Sequence, residues 1–205
     1  MKAEKGRVVE LTAGGERWEV GTVINAAGPW AKRIGEMVGI AIPVEPVRRQ
    51  YFLTRPISWV PESFPLLVDW GNGVYMHKES GGMLIGESDL DEPSSFNQTV
   101  DWDFLARVSG HAIHRVPRLE TAEATMGVAG LYEVSPDHNA ILGHVPELEN
   151  FVCANGFSGH GMQHAPAVGL ALAELVTEGF SKTVDLDPYA IERFRSGTEV
   201  EHNVI

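Results

Sequence analysis

One stretch limits the fold more than any other. Phe151-Val152-Cys153-Ala154 runs without a break into Asn155-Gly156-Phe157-Ser158-Gly159-His160-Gly161, and an apolar helical run follows over residues 165–176. A continuous apolar run of this kind is a strand covered on both faces. Glycines at 156, 159 and 161 allow backbone angles and close approaches that side chains forbid. Strand, glycine-rich loop and helix in that order define an α/β layer.

A second unit of the same kind lies upstream. Thr22-Val23-Ile24-Asn25 is β-branched and stops at Ala26-Ala27-Gly28-Pro29. Trp30, Ile34, Met37 and Val38 then recur at helical spacing, and Gly39 ends the helix. Before it, residues 7–11 and 17–20 form a hairpin around Ala13-Gly14-Gly15-Glu16. Between the two α/β units the texture changes. Short strands over 44–53, 66–69, 73–77 and 83–86, separated by turns such as Ser80-Gly81-Gly82, favour an antiparallel sheet. Residues 89–98 read as a loop and 102–116 as a helix ending before Pro117. Strand-like 124–132, a turn over 135–139 and a short apolar run at 140–143 lead back to the opening motif. The fold class is therefore mixed α/β and α+β. Its segments are 1–43, an antiparallel-sheet insert over 44–125, and 126–205.

Composition excludes some partners. The net charge is −12, which argues against a nucleic-acid backbone binder and against docking on anionic lipid. The longest apolar helical run is too short to span a membrane, and no apolar core follows the charged first residues as an export signal would require. Cys153 stands alone, so neither an internal disulfide nor a multi-cysteine zinc site is available. The expectation is a cytoplasmic protein.

The loop itself admits several readings. Its glycines do not match the dinucleotide fingerprint GxGxxG, the nucleophile elbow GxSxG or a Walker A loop. His160 and His164 stand at metal-ligand spacing on a helix, but no HExxH surrounds them, so metal-dependent hydrolysis has little support. A tight connection without any ligand is one possibility. The other is a seat for negative charge, because a helix start presents free N–H groups and the positive end of its dipole.

Val23-Ile24-Asn25-Ala26-Ala27-Gly28-Pro29-Trp30 together with Gly156-Phe157-Ser158-Gly159-His160-Gly161 resembles the paired signatures of the D-amino-acid-oxidase-like (DAO) family of FAD-dependent oxidoreductases. The resemblance spans essentially the whole chain, from the first hairpin through Asp185-Leu186-Asp187-Pro188-Tyr189 to the closing Asn203-Val204-Ile205. It implies an FAD-binding α/β domain, residues 1–43 and 126–205, interrupted by a substrate domain at 44–125. It also implies oxidation of a C–N bond in an amino acid or secondary amine, by hydride transfer to flavin.

The cofactor residues so implied are Ala26, Ala27, Gly28, Trp30, Gly130, Leu131 and the run Gly156, Phe157, Ser158, Gly159, His160, Gly161, Met162 and Gln163. The catalytic side is Tyr75, Tyr132, His160 and Gln163, with Arg49, Tyr75 and Tyr132 toward the substrate, a small amine or amino acid. No metal is implied. Sarcosine-oxidase-like members bond flavin through a Cys two residues before the tyrosine; Gly130 stands there, so FAD is expected to be non-covalent. The family lysine that meets the substrate carboxylate is Gln163, and a neutral amide binds a carboxylate more weakly. No GxGxxG segment precedes the first hairpin, so the chain reads as the C-terminal half of a family member. The partners expected are a chain that supplies the other half and, through exposed edges, a second copy. The alternative is a non-catalytic assembly or scaffold module, or a fragment unable to hold FAD alone.

Overall fold

A computed structural model describes residues 1–195. Its elements in chain order are β1 (Lys2–Glu4), β2 (Arg7–Ala13), β3 (Glu16–Glu19), β4 (Val23–Asn25), α1 (Ala31–Glu36), β5 (Glu45–Thr54), β6 (Leu67–Val68), β7 (Val74–Glu79), β8 (Gly82–Glu87), α2 (Phe104–Arg115), β9 (Ala124–Val134), β10 (Ile141–Val145), β11 (Leu148–Asn155) and α3 (Gly161–Glu178). They fall into two compact units that divide after Pro46 and again before Tyr132. No helix among the described residues is long and apolar enough to cross a membrane.

The first unit holds two three-stranded sheets. In the outer one, β1-β2-β3, the β2–β3 turn is Gly14-Gly15 at φ +60° and +84°, the mirror-image turn that a tight hairpin requires. β1 goes beyond the sequence expectation. It pairs with β2 through Lys5-Gly6, also at positive φ. The inner sheet has the order β10-β11-β4, with β11 antiparallel to β10 and parallel to β4. Asn150, a buried residue at the start of β11, ties the two sheets. Its Oδ1 accepts from Val8 N at 2.8 Å and its Nδ2 donates to Val8 O and Gly21 O.

The middle of β11, Phe151 to Ala154, is continuously apolar because both its faces are covered. Phe151 and Cys153 join Val8, Ile40, Ile42, Val44 and Ile141 on one side. Val152 and Ala154 meet Leu172 and Leu175 of α3 on the other. α3 starts earlier than its apolar run, at Gly161, and contains Pro166. That proline removes the bond to the carbonyl of Met162, a residue 90% exposed.

The second unit is built on the sheet β6-β7-β8-β5-β9, of which the last three residues of β9 enter the first unit. α2 presents Phe104, Val108 and Ala112 to a core of Phe52, Val74, Met76 and Met83. Polar groups are paired here. Glu87, 4% exposed, accepts from Arg107 Nε at 2.9 Å and meets His111 Nδ1 at 2.6 Å.

Candidate functional site: two turns at one end of a parallel strand pair

β4 and β11 run side by side with Asn25 opposite Cys153, so their following turns leave the same end of the sheet. In open α/β sheets the carboxyl ends of parallel strands are where ligands bind. The upstream turn carries Ala26, Ala27, Gly28 and Trp30. The downstream turn carries Gly156 to Gly161, and α3 opens with Met162 and Gln163.

The upstream turn is tied by its own strand. Asn25, 2% exposed, accepts from Ala27 N at 3.2 Å and donates to Ala31 O at 3.0 Å. Gly28 sits at φ +55° with open space where a side chain would point, and Trp30 is 44% exposed.

The downstream loop is held by residues of β9 and just beyond it. Val134 bridges to Phe157, and Ser158 N donates to Glu133 O at 3.2 Å. The Glu133 carboxylate accepts from Gly156 N at 3.0 Å and from Phe157 N. Ser158, at φ +52°, accepts from Ser135 N through its hydroxyl. Gly159 lies at φ +103°, and a Cβ there would stand 2.5 Å from Tyr132 Cε2. The ring of Tyr132 is therefore a floor under the loop, and only glycine fits above it.

Electrostatics separate the nearby acids. Burial pushes the Glu133 carboxyl above the ordinary range, and its two amide bonds only partly oppose this. Asp137 goes the other way. Burial would raise it, but Arg193 grips it at 2.8 and 3.1 Å and, with the Asn139 amide, holds it below the usual carboxyl range. Burial pushes the Cys153 thiol up to about 12, so it is an inert core residue.

His160 and His164 stack ring on ring, 5.7 Å apart, beside a cavity of about 320 Å³ that His138, Phe157, Gln163 and Tyr189 also line. Among the described residues no group of three His, Cys, Asp or Glu side chains is placed to hold a metal ion.

The remaining sequence-derived residues lie elsewhere. Gly130 and Leu131 are on β9, in the second unit, directly before Tyr132. Tyr75 and Arg49 are also in the second unit, on β7 and β5. Tyr75 lies across Gly86, where a Cβ would be 2.4 Å from its ring, and Arg49 donates to the carbonyls of Arg48 and Asp89. Sequence reading missed Glu133, Ser135 and Asn155. No local motif marks Glu133, because the amides that it holds are 23 and 24 residues along the chain.

Two observations bear on an FAD group. The side-chain amide of Asn155, fully buried at the last position of β11, has no partner among the described residues on either nitrogen or oxygen. Such a group calls for something further to bond. The donor set at the strand ends is also right. The amides of Gly161, Met162 and Gln163 open an 18-residue helix and have no intrahelical acceptors, a fit for an electron-rich ring edge or a phosphate.

A parallel strand pair with two glycine turns at its carboxyl end, in a chain whose second unit is an inserted antiparallel sheet, defines an α/β protein of the cofactor-binding kind. The family model for FAD dependent oxidoreductases (DAO) matches residues 1–175, and the chain belongs to that family. It is 36% identical over 205 residues to the FAD-dependent oxidoreductase domain-containing protein 1 of Xenopus laevis, covering 91% of this chain and 41% of that protein. It is 29% identical to mitochondrial sarcosine dehydrogenase of Mus musculus, covering 84% of this chain and 20% of that one. The L-proline dehydrogenase of P. horikoshii superposes with a TM-score of 0.87 at 32% identity, over 97% of this chain and 53% of that one. The chain thus spans about half, or less, of the length of these relatives.

Proposed function

We propose that this chain is the flavin-loop part of an oxidoreductase acting on the C–N bond of an amino acid or secondary amine. The observation that carries the reading is the placement of the Gly28 and Gly156–Gly161 turns at one end of parallel β4 and β11. Sarcosine and proline, named in two relatives, are both secondary amines, which supports the substrate class. Bound FAD would supply a two-electron acceptor, taking a hydride from the carbon next to nitrogen as the C–N bond becomes C=N.

The chain's own groups do the rest. The amides of Gly161, Met162 and Gln163 lie at the positive end of α3, where they would stabilise negative charge on a bound ring edge. Gly159 lets the loop backbone lie close over the Tyr132 ring. Gln163, neutral where the family carries lysine, gives a weaker hold on a substrate carboxylate. The family resemblance adds Arg49 and Tyr75 on the substrate side. With Gly130 at the place of the attaching cysteine, FAD is held without a covalent bond.

The same reading assigns a partner surface on the first unit. Among the described residues β4 is paired on one side only, with Ile24 48% exposed on it. Along α3, Met162, Pro166, Gly169, Leu170, Ala173 and Val176 form an exposed apolar stripe at helical spacing. A polypeptide supplying a further parallel strand and a helix, equivalent to the length of the relatives that this chain does not span, fits both features. Adding such a segment with a GxGxxG turn should tighten FAD binding and give a one-to-one complex by size. Self-association of the chain instead would assign the surface to a second copy.

The reaction is tested by loading FAD and adding sarcosine, proline and glycine without oxygen. Bleaching of the visible flavin band by a secondary amine is expected. A loaded protein that no amine or amino acid reduces would overturn the substrate class.

A further inference from the structure

The first three amides of the loop all end on a single residue. Gly156 N and Phe157 N donate to the Glu133 carboxylate, and Ser158 N donates to its carbonyl. Successive N–H groups converging on an anion form a nest, a geometry usually filled by a bound ligand. Here a side chain from another strand fills it. Gly156, at φ +71°, brings its backbone so near that a Cβ would be 3.0 Å from Ser135 Cβ.

We propose that Glu133 is the positioning residue of the cofactor loop. It occupies the entry amides, so that only those opening α3 are presented to the flavin. The inference rests on the flavin reading above, and it sharpens the sequence expectation that the whole run from Gly156 to Gln163 faces the cofactor. The shift of Glu133 comes from burial set against those two amide bonds, with no charged neighbour contributing. Tyr132 precedes it on its own strand, and Asp137, four residues on, bonds Ser135 and is paired with Arg193. Glu133 is thus an acceptor whose strength depends on its own proton.

The test uses amide exchange and nitrogen-15 spectra of the chain without FAD, followed by FAD titration. In the native chain the Gly156 and Phe157 amide resonances should move together with pH, at one midpoint above the ordinary Glu value. Glu133→Ala should speed exchange at both amides about tenfold and weaken FAD by a similar factor. Glu133→Gln, which keeps an oxygen acceptor, should restore both and abolish the pH-dependent movement. The proposal is overturned if exchange in Glu133→Ala stays within about twofold of native. It is also overturned if the two resonances do not titrate together, or if exchange quickens while FAD affinity is unchanged. Should Glu133→Ala not fold, the native titration and the Gln variant decide. Should the chain not bind FAD at all, the exchange and titration results still judge the clamp, and the failure falls on the flavin reading.

Discussion

The two glycine turns do similar work by opposite means. The turn after β4 is tied by the side chain that immediately precedes it, since Asn25 bonds both Ala27 and Ala31. The loop after β11 is tied from about two dozen residues away by Tyr132, Glu133 and Ser135. Gly28 has open space where a side chain would go, whereas Gly159 rests on an aromatic ring. One turn is a local motif and tolerant; the other is a tertiary assembly and exacting. The exacting geometry is thereby concentrated in the second.

Substitutions can break that contrast, the severest first. Gly159→Ala forces both a positive φ and a clash with Tyr132, and should cost about 3 to 4 kcal/mol in denaturant unfolding. Arg193→Ala strands Asp137, whose side chain is 2% exposed, and should cost about 3 kcal/mol. The same pair sets an acid dependence. Because Asp137 is held below the ordinary range, its contribution is complete above the unfolded carboxyl pKa and is lost as pH falls through the lowered value. Unfolding followed below about pH 4 should show that loss in the native chain and not in Asp137→Asn. Asn25→Ala removes two bonds in a buried setting and should cost about 2 kcal/mol. Gly28→Ala, strained in φ but free of contacts, should cost only about 1 kcal/mol. If Gly28→Ala proved as damaging as Gly159→Ala, the two turns would not differ as described.

Local features were legible in the sequence. The hairpin at Gly14-Gly15, the strand and helix around Gly28, and the order of β11, loop and α3 all follow from short-range pattern and turn chemistry. The continuous apolarity of Phe151 to Ala154 correctly signals burial, since Val152 packs on α3 while Cys153 faces the other core. What could not be read is long-range. Glu133 looks like a polar residue on a half-exposed strand until Gly156 is folded onto it. Asp137 and Arg193 are 56 residues apart, and neither carries a motif. The helix start also moved, because Gly161 to Pro166 lacks an apolar period while the free end of α3 still forms a turn. The flavin expectation comes from a family pattern, whereas the free amides at the start of α3 and the unpaired Asn155 side chain are visible only in the fold.

The most direct test of the central claim, that the loop after β11 seats a flavin, is an FAD titration of the chain followed by flavin fluorescence and the visible band. Weak but saturable one-to-one binding is expected, lost in Gly159→Ala, with free FAD released when the complex is denatured. Absence of saturable binding, or binding indifferent to Gly159→Ala, would contradict it.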